Sequence, residues 1–374
     1  MSTSADFSSS NANEQQMLDP AWSSPTIVST STSRAGYPVI LAGDQDLLHV
    51  FWEQESRVYH AMYLDHNWTS PRSIGTGQHP SAGLAADGTV HVVFSNEFAG
   101  VFNIFYVALR NGAWSLPRLV SKTTGASTLP SLAIDAAGKV HAVWADMTPG
   151  FSVIYHGWLE QTWLNEPLLN ARGTAPVLIK DSVQRLLHLA YQGSGTGSGP
   201  REIFLLQGTT HSWSLPENIS MSAINESSSA AMACDAAGTI HVVWREQQSN
   251  YSHIRYTFGR RGHWSSSERI SDDGVDSRAP RVEVTQDNQV QVVWRQGTTI
   301  AYRRRSTPNG QWTSITNLVS NPRGLGNPAL SGASDGHLYM AWGGWTTFSE
   351  RAIYTSQRLP VVKPQVFLPN LLAE

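Results

Sequence analysis

The sequence predicts an all-β chain folded as a seven-bladed β-propeller, with four antiparallel strands in each blade. Three observations carry that expectation. One phrase recurs seven times: a proline, an apolar run, a turn, then a strand ending in an aromatic residue. Its prolines are Pro38, Pro80, Pro130, Pro176, Pro280 and Pro328, with Ala230 in the fifth slot, and successive slots lie 42 to 54 residues apart. Its closing aromatics are Trp52, Phe94, Trp144, Tyr191, Trp244, Trp294 and Trp342. A second phrase is led by tryptophan, in its plainest form Trp-x-x-Pro, and starts at Trp22, Trp68, Trp114, Trp163, Trp213, Trp264 and Trp312. Finally, each period holds four strand-like segments, and self-similarity of this length with four strands per unit marks a propeller.

The second copy shows the order of the elements. Strand A starts at His79-Pro80, strand B runs from Val90 to Phe94, strand C begins at Ile104, and strand D begins at Trp114. Between A and B stand Asp87-Gly88, Ala137-Gly138, Ala237-Gly238, Asp287-Asn288 and Asp335-Gly336. These are hairpin signals, because Gly, Asn and Asp tolerate positive φ. Strand D is out of step with the others. Its first copy, Trp22 to Ser29, precedes the first strand A, and the last repeat stops after strand C at Ile353-Tyr354. Residues 22–29 are therefore expected to pair with the last blade and close the ring, which removes open edges. Residues 1–20, rich in Ser, Asn and Gln, are expected to be a disordered leader. Residues 21–360 form the propeller. Residues 361–374, apolar with two prolines, are an extended tail that packs on the last blade or binds a partner.

Composition narrows the function classes. The 374 residues carry 14 Trp, 15% charged residues and a net charge of −3. There is no basic field for nucleic acid or an anionic membrane. No apolar run approaches the ~20 residues of a spanning helix. The first residues show neither the basic start nor the apolar core of a secretory signal, and the composition is compatible with secretion. The single cysteine, Cys234, excludes an intrachain disulfide and a cysteine-based metal site. A buried, inert thiol is expected there. No cofactor or metal is expected: the acidic A–B turns hold too few carboxylates for calcium. His49, His91, His141, His188 and His241 share one point of strand B, with Gln291 and Tyr339 in the other two slots. Metal ligands must sit within about 2.0–2.2 Å of one ion, and equivalent points of different blades lie too far apart. These histidines read as structural.

Function is sought where the repeats disagree. The D–A and B–C loops open on one face of a propeller, around the axis. They contribute the carboxylates Glu53, Glu97, Asp146 and Glu246. They also contribute Arg245, Arg278, Arg281 and Arg295, with Arg34, Arg172 and Arg323 nearby, and His79 and Trp345. The loops differ from blade to blade, which favours one asymmetric central pocket over one sugar site per blade. Glu246 and Asp146 are the candidate acid and base, since paired carboxylates perform glycosidic cleavage. Arg245, Arg278, Arg281 and Arg295 suit an anionic group. Glu53, Glu97 and His79 complete the binding set, and Trp345 offers an aromatic face to a sugar ring.

The phrase Pro-Ser-Leu-Ala-Ile-Asp-Ala-Ala-Gly-Lys-Val-His-Ala-Val-Trp at 130–144, with its sister copies, resembles the repeats of bacterial sialidase-like propellers. The resemblance spans nearly the whole chain and implies the fold. That superfamily holds sialidases, other carbohydrate-active enzymes including polysaccharide lyases, and lectins. The sialidase Asp-box, Ser-x-Asp-x-Gly-x-x-Trp, is missing, so no sialidase residues are carried over. The leading expectation is a single-site propeller acting on an acidic or decorated glycan by hydrolysis or elimination. The alternatives are a non-catalytic lectin, a protein-binding scaffold, and a small-molecule cyclase or isomerase.

Overall fold

In the computed structural model, seven antiparallel sheets form seven blades. Residues 16–29, 34–44, 46–148, 150–181, 183–195, 199–222, 224–306, 310–347 and 349–358 are described. No helix occurs among them. The inner strands are Gly36–Ala42, Gln78–Leu84, Ser127–Ile134, Thr174–Asp181, Glu226–Cys234, Ser277–Val284 and Leu325–Gly332, and they number the blades 1 to 7. Each touches the inner strands of both neighbouring blades, so the contacts run round a closed ring.

The second strand of each blade lies between two partners and buries both faces, which explains its near-continuous apolar run. Trp52, Trp144, Trp244, Trp294 and Trp342 are wholly buried there. Each fills the seam with a neighbour. Trp244, for example, packs with Ala190, Ile203 and Leu205 of blade 4. Removing such an indole costs about 3–5 kcal/mol. The outer strand is short in most blades and runs ten residues, Trp163–Arg172, in blade 3. In blades 1, 2 and 5 it breaks into two pieces: Asn67–Trp68 with Arg72–Thr76, Ala113–Trp114 with Arg118–Leu119, and His263–Trp264 with Glu268–Arg269. Pro71 and Pro117 sit in the first two gaps and have no N–H for the ladder.

The N-terminal strand closes the ring as expected. Thr26 pairs with Thr355 and Ile27 with Tyr354, and Trp22 bridges to Arg358. A repeated detail confirms that this is blade 7's own outer strand. In blades 2, 4 and 5 a serine of the outer segment accepts a strand-C backbone N–H: Ile104 to Ser121, Ile203 to Ser220, Ile254 to Ser271. In blade 7 the Ile353 N–H donates to Ser29 Oγ at 2.9 Å, 324 residues away in sequence. One pairing was not expected. Gln16–Met17, inside the expected leader, adds a fifth strand to blade 6 by pairing with Ser320 and Val319. Residues 1–15 and the tail 361–374 lie outside the described residues.

The strand-B histidines are held inside their blades. His49 meets His60 and His141 meets His156 through ring nitrogens at 2.9 and 3.0 Å, while His91 and His241 meet Tyr106 and Tyr256 hydroxyls. Burial lowers the His49 pKa to about 4 and those of His60 and His156 to about 3.

Each inner strand carries a one-residue bulge near its start. In blades 1 to 6 it places a left-handed residue before the slot proline or Ala230: Tyr37, His79, Leu129, Ala175, Ser229 and Ala279, with φ between 48° and 55°. A non-glycine residue there costs about 1 kcal/mol or more. Six such residues encircle the axis.

Candidate functional site

One position sets the character of the upper face. It follows the strand-B aromatic and turns toward the next blade. Its occupants are Glu53, Ser95, Ala145, Gln192, Arg245, Arg295 and Gly343. In blades 1 and 4 the side chain accepts the N–H of the next blade's strained residue, His79 N to Glu53 at 3.0 Å and Ser229 N to Gln192 at 3.3 Å. Arginine has donors only and cannot do this. Blades 2, 3 and 7 hold Ser95, Ala145 and Gly343 there, and blades 5 and 6 carry arginine, which can bond across the seam only as a donor. Two consecutive cationic seams set this side of the ring apart.

The result is an arc of guanidinium groups. Arg245 donates from Nε to Ser252 Oγ at 2.7 Å and also bonds Gln247. Arg295 donates from Nη1 to the Leu325 carbonyl of blade 7 at 3.2 Å. Arg278 stands directly opposite Arg295 in the ladder, an unfavourable like-charge pair eased by the ion pair of Arg278 with Asp276. At the next seam Gly343 leaves the slot empty, and Arg351 lies across it; a Cβ at 343 would come within 3.0 Å of Arg351 Cδ. Arg351 sits over the Trp345 ring at 4.6 Å and Arg34 at 5.6 Å. The buried Arg351 Nε has no hydrogen-bond partner among the described residues. Burial lowers the pKa of Arg245, Arg295 and Arg351, and repulsion by neighbouring guanidinium groups adds to it. Arginine still remains charged. Across the ring the same slots hold Ser95 and Ala145, so the positive field is confined to one side.

The axial opening beneath holds about 350 Å³. The strained ring residues line it, and Arg281 is the one charged side chain among the described residues of its wall. Burial lowers the Arg281 pKa. At the rim the Tyr37 and His79 rings meet edge to face, 4.9 Å between centroids. The buried His79 Nδ1 has no partner among the described residues. Two residues beyond Arg281, Glu283 takes a backbone hydrogen bond from Gly332, and burial raises its pKa to about 8.

Of the expected site residues, Arg281 and His79 line the central opening. Glu53 accepts the His79 N–H, Arg278 and Arg295 pair across the blade 6 ladder with Arg245 at the neighbouring seam, and Trp345 lies under Arg351 and Arg34. The structure does not bring Glu246, Asp146 or Glu97 to them. Successive strand residues point to opposite faces of a sheet. Arg245 therefore turns toward blade 6, while Glu246 turns toward blade 4 and lies 3.7 Å from Arg255. Asp146 is fully buried. Its Oδ2 accepts Thr123 and Ser127 hydroxyls at 2.7 and 2.6 Å, and its Oδ1 accepts the Thr148 N–H at 2.8 Å. A carboxylate so engaged organises the loop around it. Glu97 is exposed near the tip of the hairpin that joins Val90–Phe98 to Val101–Arg110. Sequence reasoning missed Tyr37, Glu283 and Arg351. The signal for Arg351 was available, because Gly343 vacates a slot that is filled elsewhere.

On another part of blades 7 and 1, Asp46, Asp335 and His337 bring ligand-type atoms within 4.8 Å of one another. Protein partners account for them: His337 pairs with Asp335 at 2.7 Å, and Asp46 accepts the Tyr339 hydroxyl at 3.2 Å. No helix among the described residues is long and apolar enough to cross a membrane.

No family model and no curated protein matches the chain. Solved structures do match. An ulvan lyase, described as a new family of polysaccharide lyase and bound to -[GlcA(1-4)Rha3S]-, is similar with TM-score 0.61 and 12% identity, over 88% of this chain and 94% of that one. The Penicillium chrysogenum α-L-arabinanase complexed with arabinobiose is similar with TM-score 0.54 and 11% identity, over 87% and 98%. The Aleuria aurantia fucose-specific lectin is similar with TM-score 0.51 and 14% identity, over 77% and 96%. At these identities the likeness is one of fold: this chain is a seven-bladed β-propeller.

Proposed function

We propose that this chain is a carbohydrate-active propeller whose central opening binds an acidic glycan and cleaves it by elimination. The observation that carries the reading is the guanidinium arc of Arg245, Arg278, Arg295 and Arg351 over an opening that also holds Arg281. Arginine grips carboxylate or sulfate oxygens in bidentate fashion. The ulvan lyase, whose bound ligand joins a uronate to a sulfated rhamnose, shares the fold and supports this substrate class.

Elimination is favoured over hydrolysis for a geometric reason. Hydrolysis needs two carboxyl groups flanking one bond, roughly 5–10 Å apart. Asp146 is sealed and Glu246 faces away, so that pair is not assembled here. In the elimination, the arginines hold the uronate carboxylate and stabilise the charge that develops as the adjacent carbon loses its proton. His79 takes that proton, the electron pair forms the new double bond, and the glycosidic oxygen leaves with a proton from Tyr37. Trp345, backed by Arg351 and Arg34, walls the site.

The test is a panel of polyuronates and sulfated polysaccharides, read by reducing ends and by ultraviolet absorbance of unsaturated uronate. At least one should yield unsaturated product. Arg245→Ala and Arg295→Ala should each lower kcat/KM about 10- to 100-fold, the worth of one or two charge-assisted hydrogen bonds. Affinity should fall as salt rises. Unchanged turnover in both variants would remove the arginine assignment. Tight binding without product in either assay would leave a glycan-binding propeller and remove the elimination.

A further inference from the structure

Glu246 opens onto a second cavity, of about 490 Å³, between the outer parts of blades 4 and 5. Ser220 and Asn225 come from the blade 4 side, and Arg255, Trp264 and Ser267 from the outer strands of blade 5.

The slot that Glu246 fills in blade 5 varies round the ring, with Gln54, Asn96, Asp146, Gly193, Gln296 and Gly344 in the other blades. Gln54 and Gln296 accept the indole N–H of Trp52 and Trp294, each at 3.0 Å. In blades 3 and 5, where a carboxylate fills the slot, the buried Trp144 and Trp244 Nε1 atoms have no partner among the described residues. Asp146 is enclosed by hydroxyls of its own loop, whereas Glu246 approaches Arg255. Arg255 donates from Nη2 to Ser267 Oγ at 3.0 Å, while its buried Nε has no hydrogen-bond partner among the described residues. Behind Ser220 lies a second carboxylate, Glu202, bonded by the Ser220 hydroxyl. Burial, with a smaller contribution from Glu246, raises the Glu202 pKa.

A carboxylate acceptor beside a guanidinium donor, ringed by hydroxyls and flanked by an indole, suits a ligand whose adjacent hydroxyls both give and accept hydrogen bonds. The volume lies in the range of small-molecule sites. Two carboxylates against one guanidinium disfavour an anionic ligand. We propose that the cleft between blades 4 and 5 binds an uncharged sugar residue, with Glu246 and Arg255 bridging neighbouring hydroxyls and Trp264 forming a side wall. This site is separate from the central opening and stands whether or not that opening is catalytic.

The probe is a panel of methyl glycosides of neutral hexoses, pentoses and 6-deoxyhexoses, titrated into the full chain by calorimetry and by saturation-transfer NMR. At least one should bind at one site per chain with Kd below about 10 mM. Glu246→Gln and Arg255→Lys should each weaken it about tenfold or more. Arg295→Ala should leave it unchanged, even where acidic-glycan turnover is lost. The proposal falls if no glycoside binds the parent chain, if both cleft variants bind as the parent does, or if Arg295→Ala abolishes binding. Should a cleft variant misfold, perturbation of Trp264 by the glycoside in the parent chain decides the matter: no perturbation overturns the site.

Discussion

Deleting residues 16–29 is expected to abolish the folded monomer. The segment carries Trp22 and Val28, both buried, and Trp22 packs edge to face on Tyr302 of blade 6 at 5.9 Å. Losing the indole alone costs about 3–5 kcal/mol, and the valine about 1.5–3 kcal/mol. The deletion also strips partners from the Ile353 N–H and carbonyl, which bond Ser29 Oγ and the Val28 N–H. Each buried group left alone costs about 1–3 kcal/mol. Together these approach the whole stability of an ordinary domain, about 5–15 kcal/mol. The strands Thr316–Ser320 and Arg351–Arg358 would become open edges and invite association. The measurement is soluble yield and size-exclusion profile of the deleted chain, with rescue by a synthetic 16–29 peptide. A monomer with the parent's melting temperature would refute ring closure as the source of stability. Trp22→Ala is the graded version, expected to lose about 3–5 kcal/mol in denaturant titration.

Acid should unfold the protein well above the carboxylate range. His49, His60 and His156 have pKa values of about 4, 3 and 3 in the folded state against 6.5 unfolded, because burial penalises the charged ring. Burial also lowers His91, His141, His188 and His241. Below pH 6.5 the unfolded chain binds protons that the folded chain refuses. Stability is therefore full above 6.5 and falls as pH drops toward the folded values. Each such group loses about 1.4 kcal/mol per pH unit, or about 2 kcal/mol by pH 5. Three of them together rival the domain's stability. Glu283 acts in the opposite sense: its folded pKa of about 8 lies above 4.5, so it costs stability as pH rises between those values. Several histidines outweigh one glutamate, and the net slope between pH 4 and 6.5 is destabilising on acidification. Melting temperatures across pH 4–8 test this, and a flat profile below 6.5 would contradict it. Glu283→Gln should raise the melting temperature at pH 8 and leave it nearly unchanged at pH 4.

Much of the architecture was legible because a propeller writes each blade again. Pro38 and its six counterparts mark the inner strands, and the tryptophan phrases mark the outer ones. Even the closing strand could be found by counting, since Trp22 had no strand A before it. The fifth strand of blade 6 was not legible. Gln16–Met17 is too short for any period, and it joins the sheet through backbone groups that carry no sequence signature. The candidate site was half legible. The arginines were found because they interrupt the repeat. Glu246 was misgrouped with them because it stands next to Arg245 in sequence, while a pleated strand sends neighbours to opposite faces. Asp146 looked like free chemistry until Thr123, Ser127 and Thr148 were seen to enclose it.

The sequence by itself determined the number of blades, their strand order and the way the ring is sealed, because repetition and period-two burial are properties of the chain read in line. Only the tertiary structure decided which charges meet. Arg351 reaches the slot that Gly343 vacates, Tyr37 meets His79 across a blade boundary, and Glu246 joins Arg255 at a different seam from its neighbour Arg245. These meetings occur between blades, where distance depends on the closed ring and on the direction of each side chain, and neither is written in residue order.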